Sequence, residues 1–222
     1  MGLTATLFAL LLVWAPSSGA ATAVCPSVYS IHPCKCISTV LGPRVMCSGI
    51  SSPQKLTAPF AVLAGYHIHT LAMRNINFSI TVDLFSGLDL VSIKILNSVY
   101  RVSEVTSKAL STFLNLEEKL EVLEVSHTTL DLGNTNLGAM RRLRKMSIDD
   151  SSVDVLRKGW FDGLNDLRTF SIANSKLGRM EDEALSGLAN VAVIELRSSR
   201  LANIHRNYFP PIAYRLTELD LR

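Results

Sequence analysis

Chemistry in this chain of 222 residues would have to come from five histidines, four cysteines and a handful of acidic side chains. His67 and His69 have the i, i+2 spacing that puts two imidazoles on one face of a strand, as a metal pair requires. No Cys, Asp or Glu lies within ten residues of either, and the nearest acid is Asp83. The pair reads as two surface imidazoles at a loop–strand junction. His32, His127 and His205 stand isolated from one another along the chain. Asp149-Asp150 is an acidic pair of the kind calcium sites use, but a lone pair at a strand exit reads as a solvated turn. Nucleophile-elbow (G-x-S-x-G), phosphate-loop and H-E-x-x-H patterns are missing. The residues predict no catalytic constellation, no metal centre and no cofactor. Asn77-Phe78-Ser79 is the only N-x-S/T sequon, and it predicts an exposed, glycosylated turn at Asn77.

The elements that carry these side chains follow a leader. Residues 3–14 (LTATLFALLLVW) form an apolar run of 12, followed by Pro16, Ser17, Ser18 and Gly19. That run is too short to cross a bilayer and has the length of a signal-peptide core, although no Lys or Arg precedes it. Small residues at Ser18-x-Ala20 or Ala21-x-Ala23 supply a cleavage site, so residues 1–23 are predicted to be a signal peptide and the mature protein to be secreted. No later run reaches about 18 apolar residues, so no membrane span is predicted. The charge balance, 22 Lys and Arg against 19 Asp and Glu, is too mild for nucleic acid. An apolar content of 48% excludes disorder.

Cys25, Cys34, Cys36 and Cys47 cluster directly after the leader, where an oxidising compartment favours two disulfides. Their C-x8-C-x-C-x10-C spacing lacks the C-x2-C knuckle of zinc sites. Cys34 and Cys36 sit too close to pair with each other, which leaves interleaved and nested pairings open. Residues 24–66 are too short and too rich in Pro, Ser and Gly to bury a core alone, so the bridges staple a cap there.

From residue 67 to 222 the chain repeats. Segments starting at Ile68, Leu90, Leu120, Leu143, Leu167, Val191 and Leu216 are spaced by 22, 30, 23, 24, 24 and 25 residues. Each carries apolar residues at positions 1, 4 and 6, as in Leu143/Met146/Ile148. Position 11 is again apolar or aromatic, and each turn closes on a signature such as FSGL at 85–88 or FDGL at 161–164. Position 9 reads Ile76, Ser98, Thr128, Ser151, Ser175 and Ser199, a column of hydroxyls able to satisfy backbone groups where the chain leaves the strand. This period is that of a leucine-rich repeat, in which one coil cannot bury both its walls and neighbours stack into a shared core. About seven repeats are predicted, the last incomplete. The second is lengthened by extra chain between Arg101 and Thr112.

Residues 25–222 resemble an extracellular leucine-rich repeat protein with a cysteine-rich N-terminal cap, on the strength of Cys25-Pro26, Cys34-x-Cys36, the strand-like 44–49 segment and the repeats. The resemblance implies a right-handed α/β solenoid with a parallel concave sheet. It also implies bridges Cys25–Cys36 and Cys34–Cys47. The Ser-containing repeats look most like arthropod secreted proteins similar to the non-catalytic subunit of the Oplophorus luciferase, which would imply a partner-binding subunit without an active site.

Strand positions 3, 5 and 7 face outward on the concave side. There Arg74, Lys94, Glu124, Asp149, Glu195 and Arg197 form the candidate binding face, with Lys94 and Glu124 placed to pair across coils. Phe161 is expected inside the stack, with Trp160 beside it more tolerant of change. The function expected is non-enzymatic protein binding by a secreted module. The rival is the N-terminal part of a receptor or adhesion ectodomain. The chain stops at position 7 of a new coil, so a longer protein or a covering partner is expected, with Leu196, Leu201 and Phe209 partly uncovered.

Overall fold

The computed structural model describes residues 24–102, 113–133, 135–197 and 203–222. Residues 1–23, expected to be a signal peptide, the extra chain of the second coil at 103–112, and Ser199 and Leu201 lie outside the described residues. The cap opens with an antiparallel hairpin of β1 (Cys34–Thr39) and β2 (Gly42–Ser48), followed by helix α1 (Gln54–Leu63). Strands then alternate between two walls. One wall takes β3 (His67–Arg74), β5 (Asp89–Leu96), β7 (Val122–Ser126), β9 (Lys145–Asp149), β11 (Thr169–Ala173), β13 (Val193–Arg197) and β14 (Glu218–Asp220). The other takes β4 (Asn77–Ile80), β6 (Val99–Val102), β8 (Thr129–Asp131), β10 (Ser152–Leu156) and β12 (Lys176–Met180).

The result is a nine-stranded sheet, β1-β2-β3-β5-β7-β9-β11-β13-β14, parallel from β2 onward, and a five-stranded parallel sheet, β12-β10-β8-β6-β4. This is a leucine-rich repeat solenoid whose first sheet is begun by the disulfide cap. Its helical share is small. Once a coil of 22–25 residues has made two strands, the remainder suffices only for turns, so the return arms carry 3-10 turns at Ser186–Leu188 and Arg206–Tyr208 rather than helices.

The core runs the length of the stack. Positions 1, 4 and 6 are buried in β3 through β13, and the closing residues Phe85, Phe113, Leu137, Phe161 and Leu185 are fully buried on the facing wall. Helix α1 joins this wall through Phe60, whose ring centroid lies 6.1 Å from that of Phe85, itself 5.5 Å from Phe113. Leu196 is buried, which corrects the expectation that it is partly uncovered, while Phe209 is only partly buried against the core. Return arms touch closely enough that a Cβ on Gly138 would sit 1.6 Å from the Asp162 carbonyl oxygen. Only glycine fits there.

Two backbone columns lock the coils together as the chain leaves each strand. Asn75, Asn97, His127, Asp150 and Asn174 all have φ between 45° and 58°, a left-handed conformation that Asn, Asp and His adopt more readily than other residues. Their N–H groups donate to the carbonyls of Leu96, Ser126, Asp149, Ala173 and Arg197 in the next coil. One residue on, the N–H groups of Ile76, Ser98, Thr128 and Ser151 donate to the hydroxyl oxygens of Ser98, Thr128, Ser151 and Ser175, at 3.1–3.2 Å. Each of those hydroxyls in turn donates to the carbonyl two residues before it, at 2.6–2.9 Å.

Trp160 corrects the sequence expectation. It is buried, and its indole Nε1–H donates to the Gly133 carbonyl at 3.3 Å, so it belongs to the core like Phe161. Tyr100 also lies wholly inside, its hydroxyl without a partner, and burial raises its ionisation far above the ordinary range. An unpartnered buried hydroxyl destabilises by about 1–3 kcal/mol. Tyr100→Phe is therefore expected to raise the denaturation midpoint with an unchanged denaturant slope, and a lower midpoint would show that the hydroxyl is satisfied in solution.

Candidate functional site

The outward side chains of the nine-stranded sheet are set by the alternation of each strand. In β9, β11 and β13, Met146, Ile148, Phe170, Ile172, Ile194 and Leu196 point into the core, which turns positions 3, 5 and 7 to the open face. All six candidate residues lie on this face. Lys94 and Glu124 pair across adjacent coils, and Lys145 adds a second contact to the same carboxylate at 3.2 Å. Arg197 bonds Glu195 at 3.1 Å, and Asp149 accepts the Asn174 amide at 3.0 Å. Arg74 stands apart at the cap end, exposed beside Leu96 in the register. Ala72, expected to face outward, is fully buried between the larger Met46 and Lys94 of the flanking strands. Asp220 of the same column is also nearly buried, held by Arg222.

Small side chains open a depression of about 540 Å³ over β9, β11 and β13. Its floor is Ser147, Thr169, Ser171 and Ala173, and its rim is Lys145, Asp149, Asn174, Glu195 and Arg197. Ser171 is only 7% exposed and lines the depression. Sequence reading named Asp149, Glu195 and Arg197 of this rim but did not name the floor as a site, although its signal was the run of small residues at positions 3, 5 and 7.

Two of the histidines have acidic partners that sequence reading did not name. His67 and His69 do not converge. His67 Nδ1 meets Asp89 Oδ2 of the next coil at 2.9 Å, while His69 Nδ1 meets Thr70 Oγ1 at 3.0 Å. Nor is His127 isolated: Ser126 Oγ lies 2.7 Å from its Nδ1, and Asp150 Oδ2 lies 3.5 Å from its Nε2. Both acids stand one coil away in sequence, so adding the repeat period to each residue number would have found them. The Ser126–His127–Asp150 row is a water-exposed chain of polar contacts. The N–H groups of His127 and Asp150 are already donated to the adjoining coil, so neither is left to stabilise an oxyanion. Among the described residues no group of three or more His, Cys, Asp or Glu side chains is placed to hold a metal ion.

The cap pairs Cys25 with Cys36 and Cys34 with Cys47, the second across the β1–β2 register. Asn77 is exposed at the first residue of β4, the outermost strand of the second sheet, rather than in a turn. No helix among the described residues is long and apolar enough to cross a membrane.

The family model for the leucine-rich repeat matches residues 141–201, the coils that build β9 through β13. Residues 141–201 thus carry the leucine-rich repeat, within a fold that is a leucine-rich repeat solenoid. No curated protein and no solved structure matches it significantly. The repeat thus places the depression on the open sheet of an architecture associated with protein binding.

Glu124 gives this face a pH signature. Partial burial pushes its carboxyl up, but hydrogen bonds and attraction from Lys94 and Lys145 outweigh that and hold it below the ordinary value. A carboxyl lowered on folding stabilises the fold above its unfolded pKa, and that contribution is lost as pH falls through the folded one. Glu124→Gln is expected to melt below the wild type at neutral pH, with the gap closing under acid. A gap that is constant with pH would show that the Lys94–Glu124–Lys145 ladder adds no ionic stabilisation.

Proposed function

We propose that this is a secreted, non-enzymatic protein-binding module whose partner seats over β9, β11 and β13. The leader-like residues 1–23 and the two disulfides support secretion. The observation that carries the binding reading is the depression itself. Four small residues form its floor and paired charges wall it. A partner that inserts a polar side chain there can bond the Ser171 hydroxyl in a site partly screened from water. The rim carries both signs of charge, which favours specificity over bulk attraction. Such a module suits a subunit of a larger complex. The narrower likeness to the non-catalytic luciferase subunit has no matching relative behind it and carries no part of this reading.

Ser171→Trp fills the depression from its floor, and Arg197→Glu reverses the rim without touching the core. Both variants and the wild type serve as bait in native secretions, with captured proteins counted by mass spectrometry. A protein retained by the wild type and depleted at least tenfold by both variants, at unchanged melting temperature, is the expected outcome. Equal capture by all three would remove the open face from the function.

A further inference from the structure

Charge and exposed apolar surface are both concentrated where the repeat begins. The first acidic residue is Asp83, so all 19 Asp and Glu lie at or beyond position 83. Residues 1–82 hold Lys35, Arg44, Lys55 and Arg74 with nothing to cancel them, while the remaining 18 cations face the 19 acids. The small formal charge of +3 therefore hides a purely cationic cap on a near-neutral solenoid.

Exposed large apolar side chains among the described residues occur only at the two ends of the fold, and the cap end carries Val24, Val28, Tyr29, Ile37, Val40 and Leu41. Val40 and Leu41 form the two-residue connection between β1 and β2 and are 102% and 68% exposed, so they stand clear of the protein. Ile37, 59% exposed, is in register with Arg44 across the hairpin, and Lys35 is two residues along the same face. The connection is held in shape. Thr39 Oγ1 accepts the Leu41 N–H at 3.3 Å and donates to the Gly42 carbonyl at 2.7 Å, and Cys34–Cys47 ties the far end of the ladder.

We propose that this hairpin is an interfacial anchor that inserts Val40 and Leu41 into an anionic lipid surface while Lys35 and Arg44 meet its headgroups. A protruding apolar tip needs no preformed pocket in a bilayer, which a protein partner would have to supply. Buried apolar area and attraction between cations and anionic lipid together set the strength of such attachment. Because the turn is already ordered, little conformational freedom is lost when it inserts. The six apolar side chains differ in place and chemistry from the polar depression on the open face, so a membrane-attached molecule keeps that face free for a protein.

The test is flotation of the secreted chain with vesicles of phosphatidylcholine alone and with 30% phosphatidylserine added. Val40→Ser/Leu41→Ser removes the tip, and Lys35→Gln removes a headgroup contact. All are surface changes that leave the melting temperature in place. The expected result is retention on the anionic vesicles only, reduced at least tenfold by the double variant, several-fold by Lys35→Gln, and weakened by salt. Leu41→Trp should show blue-shifted emission on the same vesicles. Absence of retention, or retention that the double variant leaves intact, would overturn the proposal. A soluble protein capturing the tip in place of vesicles would overturn it as well.

Discussion

The solenoid depends on one recurring exchange: an N–H that leaves its strand and finds a hydroxyl in the next coil. At that point each coil must turn from one wall toward the other, and the turn removes the backbone from its sheet ladder. A buried N–H left there would cost about 1–3 kcal/mol at every coil. The hydroxyls of Ser98, Thr128, Ser151 and Ser175 remove that cost by accepting from the coil before and donating to a carbonyl of their own coil. Since acceptor and donor belong to different coils, the bond also sets their register. The left-handed residue just before the hydroxyl is the geometric partner of this exchange, because it aims the following N–H across the stack.

Register then determines the rest. It brings Leu123, Met146, Phe170 and Ile194 into line on one side of the sheet and Glu124, Ser147, Ser171 and Glu195 into line on the other. The first row makes a continuous core. The second makes the depression, with charges where long side chains occupy position 5 and an opening where serines do. A change of coil register by one residue would exchange the two rows, so binding face and core are fixed by the same bonds. The cap serves the same geometry from the other end: β2 pairs with β3 in parallel register, and Phe60 extends the buried wall.

Much of this was legible in the sequence. Positions 1, 4 and 6 located the long strands, the closing aromatics located the facing wall, and the Ser/Thr column announced the ladder. What stayed hidden has physical reasons. Helix α1 carries Pro59 inside it and has no capping side chain, so its local signals argue against a helix that packing of Leu56, Phe60 and Leu63 enforces. The strands β4 to β12 of the second sheet are only three to five residues long, too short for an alternating pattern to show. The His67–Asp89 and His127–Asp150 contacts join residues one coil apart, invisible to a search confined to near neighbours. Trp160 escaped because adjacent residues in a tight turn can both face inward, which neither strand nor helix periodicity allows.

The account stands on the inter-coil ladder, and native-state hydrogen exchange reads it directly. The amides of Ile76, Ser98, Thr128 and Ser151 should exchange as slowly as those of Ile148 and Ile172 in the central strands, through global unfolding alone. Exchange of these four amides at the rate of exposed turns, while the strand amides stay protected, would mean that the hydroxyls do not hold the coils and that the register has another origin.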